Sequence, residues 1–152
     1  MDKRTEFNMK LKEALKEKDA IATATIRLIL AALKDRDITA RGAGKAEGID
    51  ENEILSMLSS MIKQRRESAQ TYSDAGREEL AEREDAEIEV IQSFMPQQLS
   101  AEEALQVIDE LIAELGASDV KDMGKVMGVL KERYAGQIDM GQVSGQVREK
   151  LS

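Results

Sequence analysis

The sequence predicts an all-α protein, a multihelical chain in which an N-terminal four-helix bundle is followed by a C-terminal three-helix bundle. Apolar residues recur at helical spacing along most of the 152 residues, and no segment alternates apolar and polar residues over the length of a strand. The single proline, Pro96, disfavours helix in the residue before it. We therefore predict a break at 95–100 and two subdomains, 1–95 and 96–152.

The signals that predict the first four helices differ from one helix to the next. Phe7 and Leu11 belong to one apolar face of the first helix. The second, 20–33, is almost continuously apolar and, at about 20 Å, too short to span a bilayer, so we expect it to be central and buried. Residues 38–49 contain three glycines and are predicted to form a mobile loop. Asp50 and Glu53 have the spacing of a capping box, which opens the third helix; the fourth covers about 77–94.

The last three predicted helices have clearer ends. Ser100 and Glu103 form a second capping-box pattern, and Gly116 is suited to the C′ position of the same helix. Two shorter helices are predicted near 121–134 and 140–151. Asp139, with Gln142 three residues later, is the expected start of the last one.

Composition excludes several classes of function. The chain has no cysteine and no histidine, which rules out a disulfide framework, a zinc ribbon, a Ser-His-Asp triad and an imidazole metal site. We predict no catalytic residue, no metal and no cofactor. With no apolar stretch typical of a signal peptide or a membrane span, we expect a soluble, cytoplasmic protein with no membrane partner. The net charge of −8 argues against DNA binding over the whole surface but leaves a local basic patch open.

Some charged residues fall on predicted core faces. At 100° per residue, Arg65 lies within the apolar stripe of the third helix, and Glu84 and Glu87 lie on that of the fourth. In a helical hairpin, Arg65 and Glu84 stand about equally far from the turn, so we expect them to meet, with Arg27 as a further member. The predicted structural charge network is therefore Arg27, Arg65, Glu84 and Glu87. The alternative is a polar pocket in which a perturbed carboxylate performs acid–base chemistry.

Two glycines four residues apart mark the sixth helix. Gly124 and Gly128 lie off its apolar stripe, on the side shared by Lys121 and Lys125, although glycine destabilises a helix by about 1 kcal/mol relative to alanine. One explanation is close packing of a neighbouring helix, such as the one with Gly141 and Gly145. The other is a smooth surface, flanked by lysines, onto which a sugar–phosphate backbone settles.

Several motifs together resemble the YqeY-like family, and the resemblance covers nearly the whole chain. In the first subdomain they are Lys63–Ala69, Tyr72, Ala75–Arg77, Leu80, Glu84 and Glu87, and at the start of the second they continue with Pro96–Leu99. The segment Lys121–Gly128, continued by Tyr134, Gly136, Asp139 and Val143, is similar to the GatB/YqeY module that also forms the tail of the B subunit of tRNA-dependent amidotransferases. The family implies a four-helix bundle and a three-helix bundle.

The resemblance also implies a function. The amidotransferase tail contacts tRNA outside the anticodon, and the matching positions here are Lys121, Gly124, Lys125 and Gly128, with Lys131 and Arg133 as further candidates. We therefore expect a non-catalytic adaptor that binds tRNA or a tRNA-handling enzyme.

Two other functions stay open, and so does the oligomeric state. The family implies carbon–nitrogen ligase activity with glutamine as amide donor, although the amidotransferase keeps its glutaminase in another subunit and its ATP site in the core of the B subunit. The remaining alternative is a protein–protein interaction module that uses the acidic face of the fourth helix, formed by Glu78, Glu82, Asp85 and Glu89, against a basic partner.

Overall fold

The structure, a computed structural model, describes residues 2–152 and contains only helices, turns and loops over that range. The predicted all-α class is therefore confirmed. None of the helices in this range combines the length and the apolar character needed to cross a membrane. The helices are α1 (Lys3–Glu17), α2 (Ala20–Gly42), α3 (Glu51–Asp74), α4 (Glu78–Gln92), α5 (Ala101–Leu115), a short 3-10 helix (Val120–Asp122), α6 (Met123–Arg133) and α7 (Met140–Leu151).

The chain divides into two compact units, Met1–Met95 and Pro96–Ser152. The first unit contains α1–α4, in which α3 and α4 form the most extensive helix pair. Its core includes an edge-to-face contact between Phe7 and Phe94, whose ring centroids are 4.9 Å apart at an interplanar angle of 80°. The same core contains the other large buried side chains, Ile26, Ile29, Leu33, Ile49, Ile54, Met57, Leu58, Met61, Ile62, Ile88 and Ile91.

The second unit has its own core, built by α5, α6, α7 and the loop between α6 and α7. Its buried side chains are Ala104, Ile108, Leu111, Val126, Leu130, Ile138, Val143, Val147 and Leu151. The N–H of Leu99 donates to the carbonyl of Gln137 at 2.8 Å, which ties the segment before α5 to the loop between α6 and α7.

Side chains cap the helices largely where the sequence indicates. The hydroxyl of Ser100 accepts from the N–H of Glu103, and the Glu103 carboxylate accepts from the N–H of Ser100, which completes a capping box. Asp50 accepts from the N–H of Glu53 at 2.8 Å. The carboxylate of Glu53, however, pairs with Lys45 instead of closing a box.

The prediction of a mobile loop over 38–49 is wrong at both ends. α2 continues to Gly42, because Asp37 and Ala40 extend its buried face beyond Leu33. At the other end Ile49 is buried in the core of the first unit. The Asp37 carboxylate accepts from the N–H of Ile49 at 2.9 Å and from Arg4 at 2.7 Å, so the segment is anchored to α2 and α1.

Candidate nucleic-acid interface

The two faces of α6 differ sharply. Val126 and Leu130 are buried in the core of the second unit. On the opposite face the side chains are exposed, and at 100° per residue they lie within about 60° on either side of Gly128. The lysines and glycines among these exposed residues, together with Lys121 in the preceding 3-10 helix, form what we call the lysine–glycine face: Lys121, Gly124, Lys125, Gly128 and Lys131.

The glycines of this face are open. A Cβ built on Gly124 or Gly128 meets no atom within 4 Å among residues 2–152, the helix's own backbone aside. The same holds for Gly145 of α7, and a Cβ on Gly141 approaches only the Asp139 side chain. Packing of another helix of the second unit therefore does not explain Gly124 and Gly128.

The lysines of this face are unpaired. Lys121, Lys125 and Lys131 are exposed, and none forms an ion pair with another residue of the range 2–152. Glu132 lies on the same side of α6 by helical spacing, so the local charge combines three cations with one anion. Nearby, the Asp122 carboxylate accepts a hydrogen bond from the N–H of Ser118 at 3.0 Å, and the Asp119 carboxylate accepts one from the N–H of Lys121.

Arg133, also a predicted contact residue, is placed elsewhere. By helical spacing it lies about 140° from Gly128. Its guanidinium donates to both oxygens of Glu114 on α5, at 3.0 and 2.9 Å. Those hydrogen bonds and the charge of Arg133 lower the pKa of Glu114. Arg133 therefore joins α6 to α5 and is not part of the lysine–glycine face.

The predicted charge network forms with a different geometry in the first unit. Arg65 on α3 donates through Nε to Glu87 on α4 at 3.3 Å and through Nη1 to the carbonyl of Met61 at 3.2 Å. The prediction that Arg65 pairs with Glu84 is wrong, because the Arg65 guanidinium donates to Glu87. Arg83 also approaches Glu87, at 3.5 Å.

Glu84 stands beside this pair. Burial raises the pKa of Glu84 and the charge of Glu87 raises it further, while the charges of Arg65 and Arg83 act in the opposite direction. Its carboxylate forms no ion pair within residues 2–152.

Arg27 does not belong to this network. It is exposed on α2, and no ion pair of Arg27 is present among the residues described. The apolar run from Ala20 to Leu33 suggested burial on all sides, but Leu28 is 47% exposed as well. This side of α2 therefore faces solvent, and a charge there needs no partner.

The charged side chain that is buried in the first unit is Asp37, which pairs with Arg4 and which no motif in the sequence marked. Its carboxylate lies next to Gly48, where a Cβ would stand 2.3 Å from Oδ1. Gly48 also has φ of +84°, which favours glycine. Two features of the sequence could have pointed to this contact. Gly48 directly precedes an apolar residue, Ile49, and Asp37 lies at helical spacing from Leu33, on the apolar face of α2.

The described residues also fall short of the requirements of a metal site. Over residues 2–152 no group of three or more acidic side chains is arranged so that it could hold a metal ion. The Arg65–Glu87 pair joins two helices through side chains that are 14% and 13% exposed. What the second unit presents to solvent is a cationic face with bare backbone, whose chemistry suits anions such as phosphates.

A family model described as Yqey-like protein matches residues 4–151. The chain belongs to the YqeY-like family. Similar proteins include "Altered inheritance of mitochondria protein 41, mitochondrial" from three organisms. The Lachancea thermotolerans protein is 33% identical over 111 residues, which are 72% of this chain and 57% of that protein. The Eremothecium gossypii protein is 33% identical over 107 residues, 69% and 56% of the two chains. The Candida glabrata protein is 31% identical over 111 residues, 72% and 59%.

These relatives bear on length and location. This YqeY-like chain spans a little over half the length of these three relatives. The expected cytoplasmic location is contradicted, because the names of the relatives place them in mitochondria. Composition led to the wrong expectation because it excludes a disulfide framework and an apolar span without distinguishing one compartment from another.

Proposed function

We propose that this YqeY-like protein is a non-catalytic adaptor that binds the sugar–phosphate backbone of tRNA through its lysine–glycine face. One observation carries the proposal: Gly124 and Gly128 are exposed, and no described residue packs close enough to either of them to require a glycine there. Each costs about 1 kcal/mol of helix stability relative to alanine. A glycine that no contact within the chain requires is explained by close approach of another molecule's backbone.

The lysines define what kind of molecule that is. Lys121, Lys125 and Lys131 are exposed and unpaired within residues 2–152, so their ammonium groups are available to an anionic ligand. Contacts from lysine to phosphates hold a nucleic acid in position without reading its sequence. The acidic residues elsewhere, which bring the net charge to −8, restrict such binding to a local interface.

The choice of tRNA comes from the family resemblance. The segment Lys121–Gly128 is similar to the tail of the amidotransferase B subunit, which contacts tRNA outside the anticodon. Arg133 is left out of the proposed interface because it is held by Glu114.

Fluorescently labelled tRNA, titrated with protein at several salt concentrations, tests the proposal. Affinity should fall as salt rises, because phosphate contacts release counterions. Replacing Lys121 and Lys125 together by alanine should weaken binding and reduce the salt slope by up to about two units. The matched control is Lys12→Ala with Lys16→Ala, which removes the same charge at the same spacing from exposed, unpaired positions on α1.

The outcomes separate a specific face from general electrostatics. If the α6 variant loses affinity and the α1 variant does not, the lysine–glycine face carries the binding. Equal losses in both variants, or no binding of wild-type protein even at low salt, would overturn the proposal. Gly128→Glu adds a steric and electrostatic block at the centre of the face and should abolish binding, while circular dichroism checks that α6 still forms.

A further inference from the structure

A groove in the first unit lies between α4 and the hairpin formed by α1 and α2. It has a volume of about 450 Å³, and every residue that lines it precedes Met95. The lysine–glycine face is in the other unit, so the groove is a separate surface with its own chemistry.

The floor of the groove is apolar. Ile21, Ala22, Ala86 and Val90 line it and are only partly buried, so they present carbon atoms to whatever enters. Beneath them lies Phe94, which is 1% exposed and packed against Phe7. The floor is therefore backed by close-packed core side chains, which hold the Phe7–Phe94 pair in place.

The rim of the groove is acidic. Its charged residues are Lys10, Glu13, Glu17, Asp19 and Glu89, four anions against one cation. Lys10 is already paired with Glu13 at 3.3 Å, and Asp19 accepts from the N–H of Ala22 as a helix cap. Glu17 and Glu89 are exposed and form no ion pair with any residue of 2–152.

The acidic character continues along α4 beyond the groove. Glu82, Asp85 and Glu89 are all exposed and follow one another at intervals of three and four residues, which places them on one face of the helix. Over that span α4 rises about 10 Å. None of the three forms an ion pair among the residues described, so the stripe lacks intramolecular compensation for its charge.

We propose that this groove docks a basic amphipathic helix of a partner protein. Apolar side chains of that helix, spaced three and four residues apart, enter the floor at Ala22 and Val90, as in other helix-in-groove complexes. Its lysine and arginine residues lie against Glu17, Glu89 and the acidic stripe on α4. Anionic lipid and nucleic acid would be repelled by the same carboxylates, and a small cation would leave both the apolar floor and the length of the stripe unused.

The test uses the full chain and a labelled synthetic peptide. The probe is an amphipathic peptide of about 16 residues, with leucines at helical spacing on one face and lysine or arginine on the other. The control peptide has the same composition, scrambled so that no apolar face forms. Fluorescence anisotropy should show binding of the first peptide that is at least about tenfold tighter than binding of the second.

Matched protein variants locate the binding. Glu17→Lys with Glu89→Lys reverses two exposed rim charges and should weaken peptide binding about tenfold. Glu47→Lys with Glu67→Lys makes the same change in net charge at exposed, unpaired positions away from the groove and should leave affinity within about twofold. Ala22→Met fills the floor without adding charge and should also weaken binding, with unchanged thermal unfolding as evidence of an intact fold.

The results that overturn the proposal are distinct. Equal affinity for both peptides, or equal effects of the two charge-reversal variants, would mean general electrostatic attraction. Binding that is insensitive to Ala22→Met would remove the groove from the interaction. A concentration-dependent dimer that is lost in the rim variant would assign the groove to a second copy of the chain and would reject a separate partner.

Discussion

Arg4 and Asp37 join the beginning of α1 to the C-terminal part of α2, with Nη2 of Arg4 donating to Oδ1 of Asp37 at 2.7 Å. The same oxygen accepts from the N–H of Ile49 at 2.9 Å, and Arg4 also donates to the carbonyl of Ile49 at 3.0 Å. Three segments that are distant in sequence therefore share one carboxylate. Because Asp37 is buried, this contact sets where the segment before α3 returns to the core.

Replacing Asp37 by asparagine should destabilise the first unit. The amide keeps the shape but removes the charge that compensates Arg4 and weakens the acceptor for the N–H of Ile49. We expect the free energy of unfolding to fall by about 1–3 kcal/mol, measured by urea denaturation. Asp35→Asn, an exposed position on the same helix, should change it by less than about 0.5 kcal/mol. Equal effects would show that Asp37 contributes nothing beyond an ordinary surface charge.

The contribution of Asp37 should also depend on pH. Burial by itself raises the pKa of Asp37, but the hydrogen bonds from Ile49 and Arg4 and the charge of Arg4 outweigh burial and hold the pKa below the usual 3.8. A lowered folded-state pKa gives stability that is fully present above the unfolded-state value and is lost as pH falls through the folded-state value. The difference in unfolding free energy between wild type and Asp37→Asn should therefore be constant near neutrality and shrink only below about pH 3.8. A difference that does not change in acid would contradict this account.

Local patterns in the sequence were enough to predict the helices and most of their ends. Apolar spacing and capping residues act over one or two turns, so Ser100 with Glu103 could be recognised without knowing the fold. The segment 38–49 was misjudged because its order depends on Asp37, Arg4 and Ile49, which are far apart in sequence. Three glycines indicate irregular backbone, but they do not show that Gly48 is held against a buried carboxylate.

For the candidate sites, the sequence predicts which residues share a helix face but not which residues of other helices lie against them. Helical spacing predicts that Gly124 and Lys125 share one face of α6, but only the structure shows that a Cβ at Gly124 would meet no described atom within 4 Å. The pairing of Arg65 depended on the register between α3 and α4, and a shift of less than one turn exchanges Glu84 for Glu87. Arg27 was misplaced because an apolar run does not reveal which side of a helix is left exposed.

Removing the Arg65 side chain's charge should destabilise the α3–α4 pair. Arg65→Met leaves Glu87, which is 13% exposed, with only Arg83 nearby at 3.5 Å. Because Arg83 gives partial compensation, we expect a loss of about 1–3 kcal/mol, below the cost of a fully uncompensated buried charge. Thermal or urea unfolding measures the loss, and Arg66→Met, at an exposed position on the same helix, is the control. If both variants behave alike, the Arg65–Glu87 bond is not a stabilising contact.

Glu84 should respond in the opposite direction. Burial and the neighbouring charge of Glu87 raise its pKa, so the folded protein disfavours its charged form relative to the unfolded chain. Glu84→Gln should therefore increase the unfolding free energy at pH 7 by up to about 1 kcal/mol. The gain should disappear as pH falls below the unfolded-state value, 4.5, where wild-type Glu84 is protonated in both states. Destabilisation at pH 7 would show that Glu84 acts as a partner of Arg65.

The open glycines of α6 lead to a prediction that separates fold from binding. Gly124→Ala with Gly128→Ala should stabilise the second unit by about 0.5–1 kcal/mol per substitution, because alanine is the better helix former and the added methyl groups meet no described atom within 4 Å. Gly48→Ala is the contrasting variant and should destabilise the first unit, since its Cβ would stand 2.3 Å from Asp37 at a φ of +84°. Thermal unfolding of each variant measures both effects.

A loss of stability in the α6 double variant would mean that something within the protein packs on these glycines, which would remove the main support for the lysine–glycine face. A gain in stability together with weaker tRNA binding would mean that the glycines serve close approach of the RNA backbone at the expense of helix stability. A gain with unchanged binding would restrict the interface to the three lysines, because one methyl group per turn would then be tolerated between helix and phosphate.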